Sequence, residues 1–165
     1  MGFCVCTTYR RYRKGDLKGK ELISWKYQQY MRDYLATTLA VDENIGRLMN
    51  YLENIGELDN TIIVYTSDQG FFLGEHGWFD KRFMYEESFR TPLIIRYPAK
   101  IKAGSECTAL VQNIDYAPTY LDIAGIEKPD YMVGTSLVPL FGGETPKDWR
   151  EYLYYHYYDY PAIHM

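Results

Sequence analysis

Cysteine is scarce: Cys4, Cys6 and Cys107 are the only three in 165 residues. An odd number without regular spacing is not a disulfide framework. Cys4 and Cys6 stand as C-x-C, which is too little for a zinc site without partners elsewhere. An excess of positive charge is also absent. Eighteen Lys and Arg face 22 Asp and Glu, giving a net charge of -4 and an isoelectric point near 5.4. Electrostatics therefore give no reason to expect nucleic acid as a partner. No apolar run reaches the roughly 20 residues of a membrane span. The N-terminal stretch MGFCVCTTYRRYRKGD has no apolar segment behind its basic residues, so it does not read as a secretory signal. Internal repeats are lacking too. What is present is a 47% hydrophobic chain long enough for one domain with a real core, and too apolar for a disordered tail. Tyrosine is the one abundance: there are 18, part of them in a run near the C-terminus.

Residues 1–18 are basic and aperiodic, and read as an unstructured or non-native stretch. From Gly19 to Ile55 the pattern turns helical. Trp25, Tyr27, Tyr30, Met31, Tyr34, Thr38, Val41, Ile45, Leu48, Leu52 and Ile55 recur at three and four residues, one face of a long amphipathic helix. Gly56 suits the C′ position. After a turn at Leu58-Asp59-Asn60, Thr61 to Thr66 reads as a short β-branched strand, apolar on both faces, as buried parallel strands are. Pro92 to Pro98 reads as a second strand. Val111 to Ala124 fits a strand end and a helix, with Asp115 as N-cap, Pro118 in the first turn and Gly125 as the stop. Residues 127–150 read as loop with a short helix, and Leu153 to Tyr158 as a strand. The C-terminus looks cut, with no closing element.

Chemistry is expected at the end of the first strand, because ligands in open α/β sheets bind off the carboxyl ends of strands. The stretch there is TSDQGFFLGEHGWFDKRFMYEESFR, Thr66 to Arg90. Asp68 and Gln69 are adjacent oxygen donors of the hard type that suits Ca²⁺ or Mg²⁺. Gly70 and Gly74 permit tight turns. Glu75, His76 and Lys81 follow, and Lys81 offers a positive charge to sulfate or phosphate. Taken singly, each has a commoner structural role: the Asp as a turn residue, the His as packing, the Lys as a solvated charge.

Taken together they resemble one family. Ser67-Asp68-Gln69-Gly70, then Leu73-Gly74-Glu75-His76-Gly77, then Lys81, are similar to the second metal-binding segment of formylglycine-dependent sulfatases of the alkaline-phosphatase superfamily. The likeness extends to Val41-Asp42-Glu43-Asn44-Ile45-Gly46, to Arg90 through Pro98, to Asn113 through Thr119 and to Gly134-Thr135-Ser136-Leu137. It spans about residues 20 to 160, and ordered motifs at compatible spacing weigh far more than one pattern.

The resemblance implies an α/β fold of alkaline-phosphatase type, a mostly parallel sheet flanked by helices, present here as a partial domain over residues 19–165. It implies hydrolysis of a sulfate ester on a sulfated saccharide. Asp68 and Gln69 would be ligands of Ca²⁺, with Mg²⁺ as the alternative. Lys81 would contact the sulfate, and His76 would line the pocket. Gln69 departs from the family's usual Asn or His but keeps a carbonyl donor. Phe71-Phe72 and Trp78-Phe79 would supply apolar walls for a sugar ring or, equally, core. His156 and His164 would face substrate or pack among the tyrosines.

The family's nucleophile, a cysteine matured to formylglycine in C-x-(P/S/A)-x-R, has no convincing counterpart. Cys6-Thr7-Thr8-Tyr9-Arg10 has the right Cys–Arg separation. However, Thr8 departs from the middle position, and no acidic pair precedes Cys6. This chain alone is therefore expected to show little or no sulfatase activity. The alternatives are a phosphodiesterase or phosphonate hydrolase of the same superfamily and a non-catalytic remnant. The L-G-E-H-G loop and Lys81 favour the sulfatase. By family analogy the compartment is periplasmic, extracellular or lysosomal.

Overall fold

A computed structural model describes residues 17–155. These divide into two compact units, one ending at Ile55 and the other beginning at Gly56.

The first unit is dominated by helix α1, Gly19–Asn54. Its apolar stripe at helical spacing and the lack of any internal proline let it run 36 residues. Thr37 and Thr38 sit mid-helix, where β-branched hydroxyl residues are mediocre helix formers. Their hydroxyls bond back to the carbonyls of Asp33 and Tyr34 at 3.0 and 3.1 Å. The helix closes on Ile55, whose amide donates to Tyr51 O at 3.2 Å. Gly56 then turns the chain with φ +75°, the left-handed conformation that only glycine adopts at no steric cost. No residue of α1 is buried.

The second unit contains strands β1 (Ile63–Thr66), β2 (Phe72–Leu73), β3 (Phe79–Asp80) and β4 (Leu93–Arg96). It also contains helices α2 (Glu86–Phe89) and α3 (Tyr116–Ile123) and three single-turn 3₁₀ segments. β1 and β4 pair antiparallel, Ile63 opposite Arg96 and Thr66 opposite Leu93. β2 and β3 form a second antiparallel pair, Phe72 opposite Asp80. The parallel neighbour expected for the first strand is thus not among the described residues; its partner here runs the other way. Arg96 secures the start of β1, donating to Leu58 O and to Asp59 Oδ1, each at 2.6 Å.

The core of this unit is Leu137, Leu140 and Phe141, with Leu93, Ile95, Tyr116 and Ile123 packed on it. Alternation in β4 sends Leu93 and Ile95 to that core. Ile94, between them, is 64% exposed, as is its register partner Tyr65 to a lesser degree. The first strand, expected to be buried on both faces as parallel strands are, leaves Tyr65 exposed, so one of its faces is not covered among the described residues.

Asp115 does cap α3 by position, but its carboxylate makes no capping bond to the helix. It is wholly buried and is directed instead to the preceding turn and to later segments of the chain. Gln112 N and Thr135 N donate to it at 2.8 and 2.9 Å, and Arg150 binds it bidentately at 2.6 and 2.8 Å. Gly134 lies so close to Ile114 O that a Cβ would meet it at 2.0 Å. Gly125, at φ +69°, follows α3. The strand expected from Leu153 is not formed over Leu153–Tyr155, which run as irregular chain. Tyr155 instead spends its hydroxyl on the Arg82 carbonyl and its ring on Phe89, at 4.7 Å between centroids. The remainder of that predicted strand, His156, His164, Cys4, Cys6 and nearly all of the stretch 1–18 lie outside the described residues. Cys107 is a free, exposed thiol.

Candidate active site

The site grows from the carboxyl end of β1. Thr66, its last residue, hydrogen-bonds the Tyr116 hydroxyl at 2.7 Å and so fixes the strand end against α3. The next residues cannot continue the strand: Ser67 Oγ donates to Gln69 O at 2.8 Å, a local turn of the kind serine favours. This turn holds Asp68 exposed and Gln69 half-buried. The Asn113 amide reaches Asp68 O at 3.4 Å.

From Gly70 to Arg90 the chain forms a loop of short elements. Three non-glycine residues there have positive φ: His76 at 57°, Asp80 at 92° and Arg82 at 105°. Such backbone is uncommon for residues with a Cβ and concentrates at functional sites. Asp80 and Arg82 flank Lys81 directly, and their side chains pair at 3.6 Å. Lys81 itself is half-buried. The loop has its own small core, fully buried Phe72, against which His76, Trp78 and Tyr85 pack edge-on at 5.8–6.1 Å. Phe72 of the Phe71-Phe72 pair is therefore core, whereas Phe71, Trp78 and Phe79 keep substantial exposure.

Helix α2 binds the segments of the loop together. The Gly70 amide donates to Ser88 O at 2.9 Å, which anchors the turn that holds Asp68 and Gln69. The Arg82 amide donates to Ser88 Oγ at 3.1 Å, which anchors the chain beside Lys81. His76 Nε2 meets Glu87 Oε1 at 3.1 Å. Glu87 and Ser88 are the positions that sequence reasoning missed. A short acidic helix carries no motif of its own, and only the partners it meets reveal its role. Glu75, adjacent to His76, is also engaged locally, its carboxylate accepting from Leu73 N at 2.5 Å.

A metal can be tested against these donors by their chemistry. Asp68 and Gln69 are both hard oxygen ligands and fit Ca²⁺ or Mg²⁺ in kind. In number they are two of the six to eight oxygens that Ca²⁺ takes. No cluster of three or more His, Cys, Asp or Glu suited to a metal occurs among the described residues.

The fold defines the class, the hydrolases of the alkaline-phosphatase superfamily. A solved phosphonate monoester hydrolase from Silicibacter pomeroyi superposes with a TM-score of 0.72 at 39% identity, over 82% of this chain and 26% of that one. The family described as N-sulphoglucosamine sulphohydrolase, C-terminal, matches residues 74–165. An N-acetylglucosamine-6-O-sulfatase of Bacteroides thetaiotaomicron is 75% identical over 155 residues, 93% of this chain and 28% of that protein. A solved structure described as a complex with its substrate D-glucosamine-2-N,6-O-disulfate superposes with a TM-score of 0.89 at 72% identity, covering 94% of this chain and 32% of that one. The chain belongs to the sulfatase family and corresponds to the C-terminal part of its members. It spans 28% of the length of the Bacteroides enzyme.

Proposed function

We propose that this chain supplies the C-terminal part of a sulfatase that hydrolyses a 6-O-sulfate ester on a glucosamine-type sugar. The observation that carries this is the 75% identity to an N-acetylglucosamine-6-O-sulfatase, sustained over 93% of the chain. The geometry supports it, because α2 ties the Asp68–Gln69 turn, His76 and the Lys81 segment into one loop cluster at the strand end.

In this reading Asp68 and Gln69 contribute oxygens to a divalent cation, Ca²⁺ by family. When bound, that ion would neutralise the sulfate's charge as a Lewis acid. Lys81 adds a fixed positive charge for the sulfate oxygens. Its ammonium would stabilise negative charge building on the ester oxygen as the S–O bond breaks. The positive-φ residues on either side of Lys81 set the course of the backbone from which its side chain extends. His76 lines the same loop and would meet substrate. Exposed Trp78 and Phe79 offer apolar surface to a sugar ring. By family the compartment is periplasmic, extracellular or lysosomal.

The test is a chimaera in which residues 17–155 replace the matching part of the Bacteroides enzyme. Sulfate release from 6-O-sulfated N-acetylglucosamine is then measured. The chimaera is expected to turn over, and Lys81→Ala and Asp68→Ala to lower kcat/KM by about 10²–10³-fold, the scale of losing one transition-state charge contact. A folded chimaera without sulfate release, or one indifferent to both substitutions, would refute the reading.

A further inference from the structure

His76 has two ring nitrogens, and the structure occupies one of them. Nε2 lies 3.1 Å from Glu87 Oε1. At neutral pH a carboxylate is an acceptor only, so the proton of this bond belongs to the imidazole Nε2. The partner that a histidine's first nitrogen meets determines what its second can do.

Glu87 is not a casual surface partner. Its backbone is held from several sides. Its carbonyl sits where a Cβ on Gly70 would fall, at 1.9 Å, so the strand-end turn lies directly against it. The next residue, Ser88, accepts from Gly70 N and Arg82 N. The Arg90 amide closes the helical turn on Glu86 O at 2.7 Å. His76 is constrained as well. Its ring lies at 4.5 Å from that of Tyr85 with a 31° tilt, edge-on to buried Phe72, and its backbone has φ 57°. The packed ring and the anchored helix α2 bring His76 Nε2 and Glu87 Oε1 within hydrogen-bond distance of each other.

We infer that Glu87 is a positioning residue of the candidate site. It fixes His76 as the Nε2–H form, so that Nδ1 is the nitrogen left to meet a ligand. This rests on the sulfatase reading only for the identity of that ligand, a sulfate ester oxygen. The Glu87–His76 arrangement itself stands on the geometry. Neutral His76 would offer a lone pair at Nδ1 and, once protonated, a donor there, with Glu87 holding the opposite nitrogen in both states.

The test uses the 165-residue chain labelled with ¹⁵N at histidine. There are three histidines, and the His76 signals are assigned by their loss in His76→Asn. Imidazole ¹⁵N shifts are recorded near pH 8.5, about two units above the ordinary histidine value of roughly 6.5. The wild type is expected to show a single Nε2–H tautomer at His76. Glu87→Ala should release it to a mixture of tautomers. Glu87→Gln keeps an acceptor oxygen on a side chain of the same length and should retain the Nε2–H form. A wild-type His76 that is an Nδ1–H tautomer or a mixture would overturn the inference. So would a spectrum unchanged in Glu87→Ala. Should the Ala variant fail to fold, the wild-type and Gln spectra decide alone. The readout does not require turnover, so an inactive chimaera would defeat the sulfatase reading without touching this one.

Discussion

At the scale of single residues, Asp115 and Lys81 show two opposite uses of charge. Asp115 is fully buried, and both of its oxygens are saturated by two backbone amides and the Arg150 fork. Burying a carboxylate is costly unless it is paired and hydrogen-bonded. Here the cost is met by joining three distant segments around Gln112, Thr135 and Arg150. Asp115→Ala would leave two amides unmatched and the Arg150 charge, itself only 20% exposed, without its partner. The expected loss is about 3–5 kcal/mol, the scale of breaking a buried pair. Urea unfolding followed by fluorescence or far-ultraviolet dichroism would measure it; a loss below about 1 kcal/mol would mean that the fork contributes little. Lys81 is not woven in this way and sits between strained neighbours, the pattern of a side chain placed for a ligand. The sequence marked Asp115 as an N-cap, correct in position and wrong in role. Its long-range donors are Thr135 N and the Arg150 guanidinium, 20 and 35 residues on, and local pattern cannot show partners at that distance.

At the scale of elements, the short pieces do more to shape the site than the long one. The sequence made α1 and its stop at Gly56 plain, because 36 residues repeat one periodicity. It also disclosed β1, β4 and α3, whose β-branched runs and proline or glycine bounds are local signals. It did not disclose β2, β3 or α2, which are two to four residues long and carry too little pattern to stand out. The irregular course of Leu153–Tyr155 has the same cause in reverse. An aromatic, strand-like composition was overruled by Tyr155 finding Arg82 and Phe89. The junction of β1's turn with α2 can be probed at Gly70, where a Cβ would lie 1.9 Å from Glu87 O and 2.8 Å from the Ser88 carbonyl carbon. Both obstacles are backbone, so neither can rotate away. Gly70→Ala is expected to destabilise the second unit by about 1–3 kcal/mol or more, as overpacking does. It should also move the turn that holds Asp68 and Gln69. A Gly70→Ala chain with unchanged unfolding midpoint and unchanged amide shifts at 67–70 would show that α2 yields easily.

At the scale of the whole molecule, the balance between what the chain supplies and what a metal needs sets its behaviour. Asp68 and Gln69 supply two oxygens, Ca²⁺ takes six to eight, and the described residues hold no further acidic or histidine cluster suited to it. The donors are also poorly shielded, since Asp68 is exposed. An exposed carboxylate interacts weakly with a cation in water, where the dielectric constant is high and the hydration shell competes. Affinity at such a site rises with the number of charged ligands and with rigidity, and even purpose-built extracellular Ca²⁺ modules bind at roughly 10⁻⁴–10⁻³ M. The 165-residue chain is therefore expected to bind Ca²⁺ more weakly than about 1 mM by calorimetry, and to release no measurable sulfate from 6-O-sulfated N-acetylglucosamine. The chimaera, in which the Bacteroides enzyme provides the remainder, should bind Ca²⁺ at least tenfold more tightly, and Asp68→Ala should abolish most of that gain. Tight Ca²⁺ binding by the chain alone would mean that it assembles a complete coordination shell from its own residues. Chimaera binding that survives Asp68→Ala would remove Asp68 from the metal site and leave Lys81 as the remaining support for an anion at the end of β1.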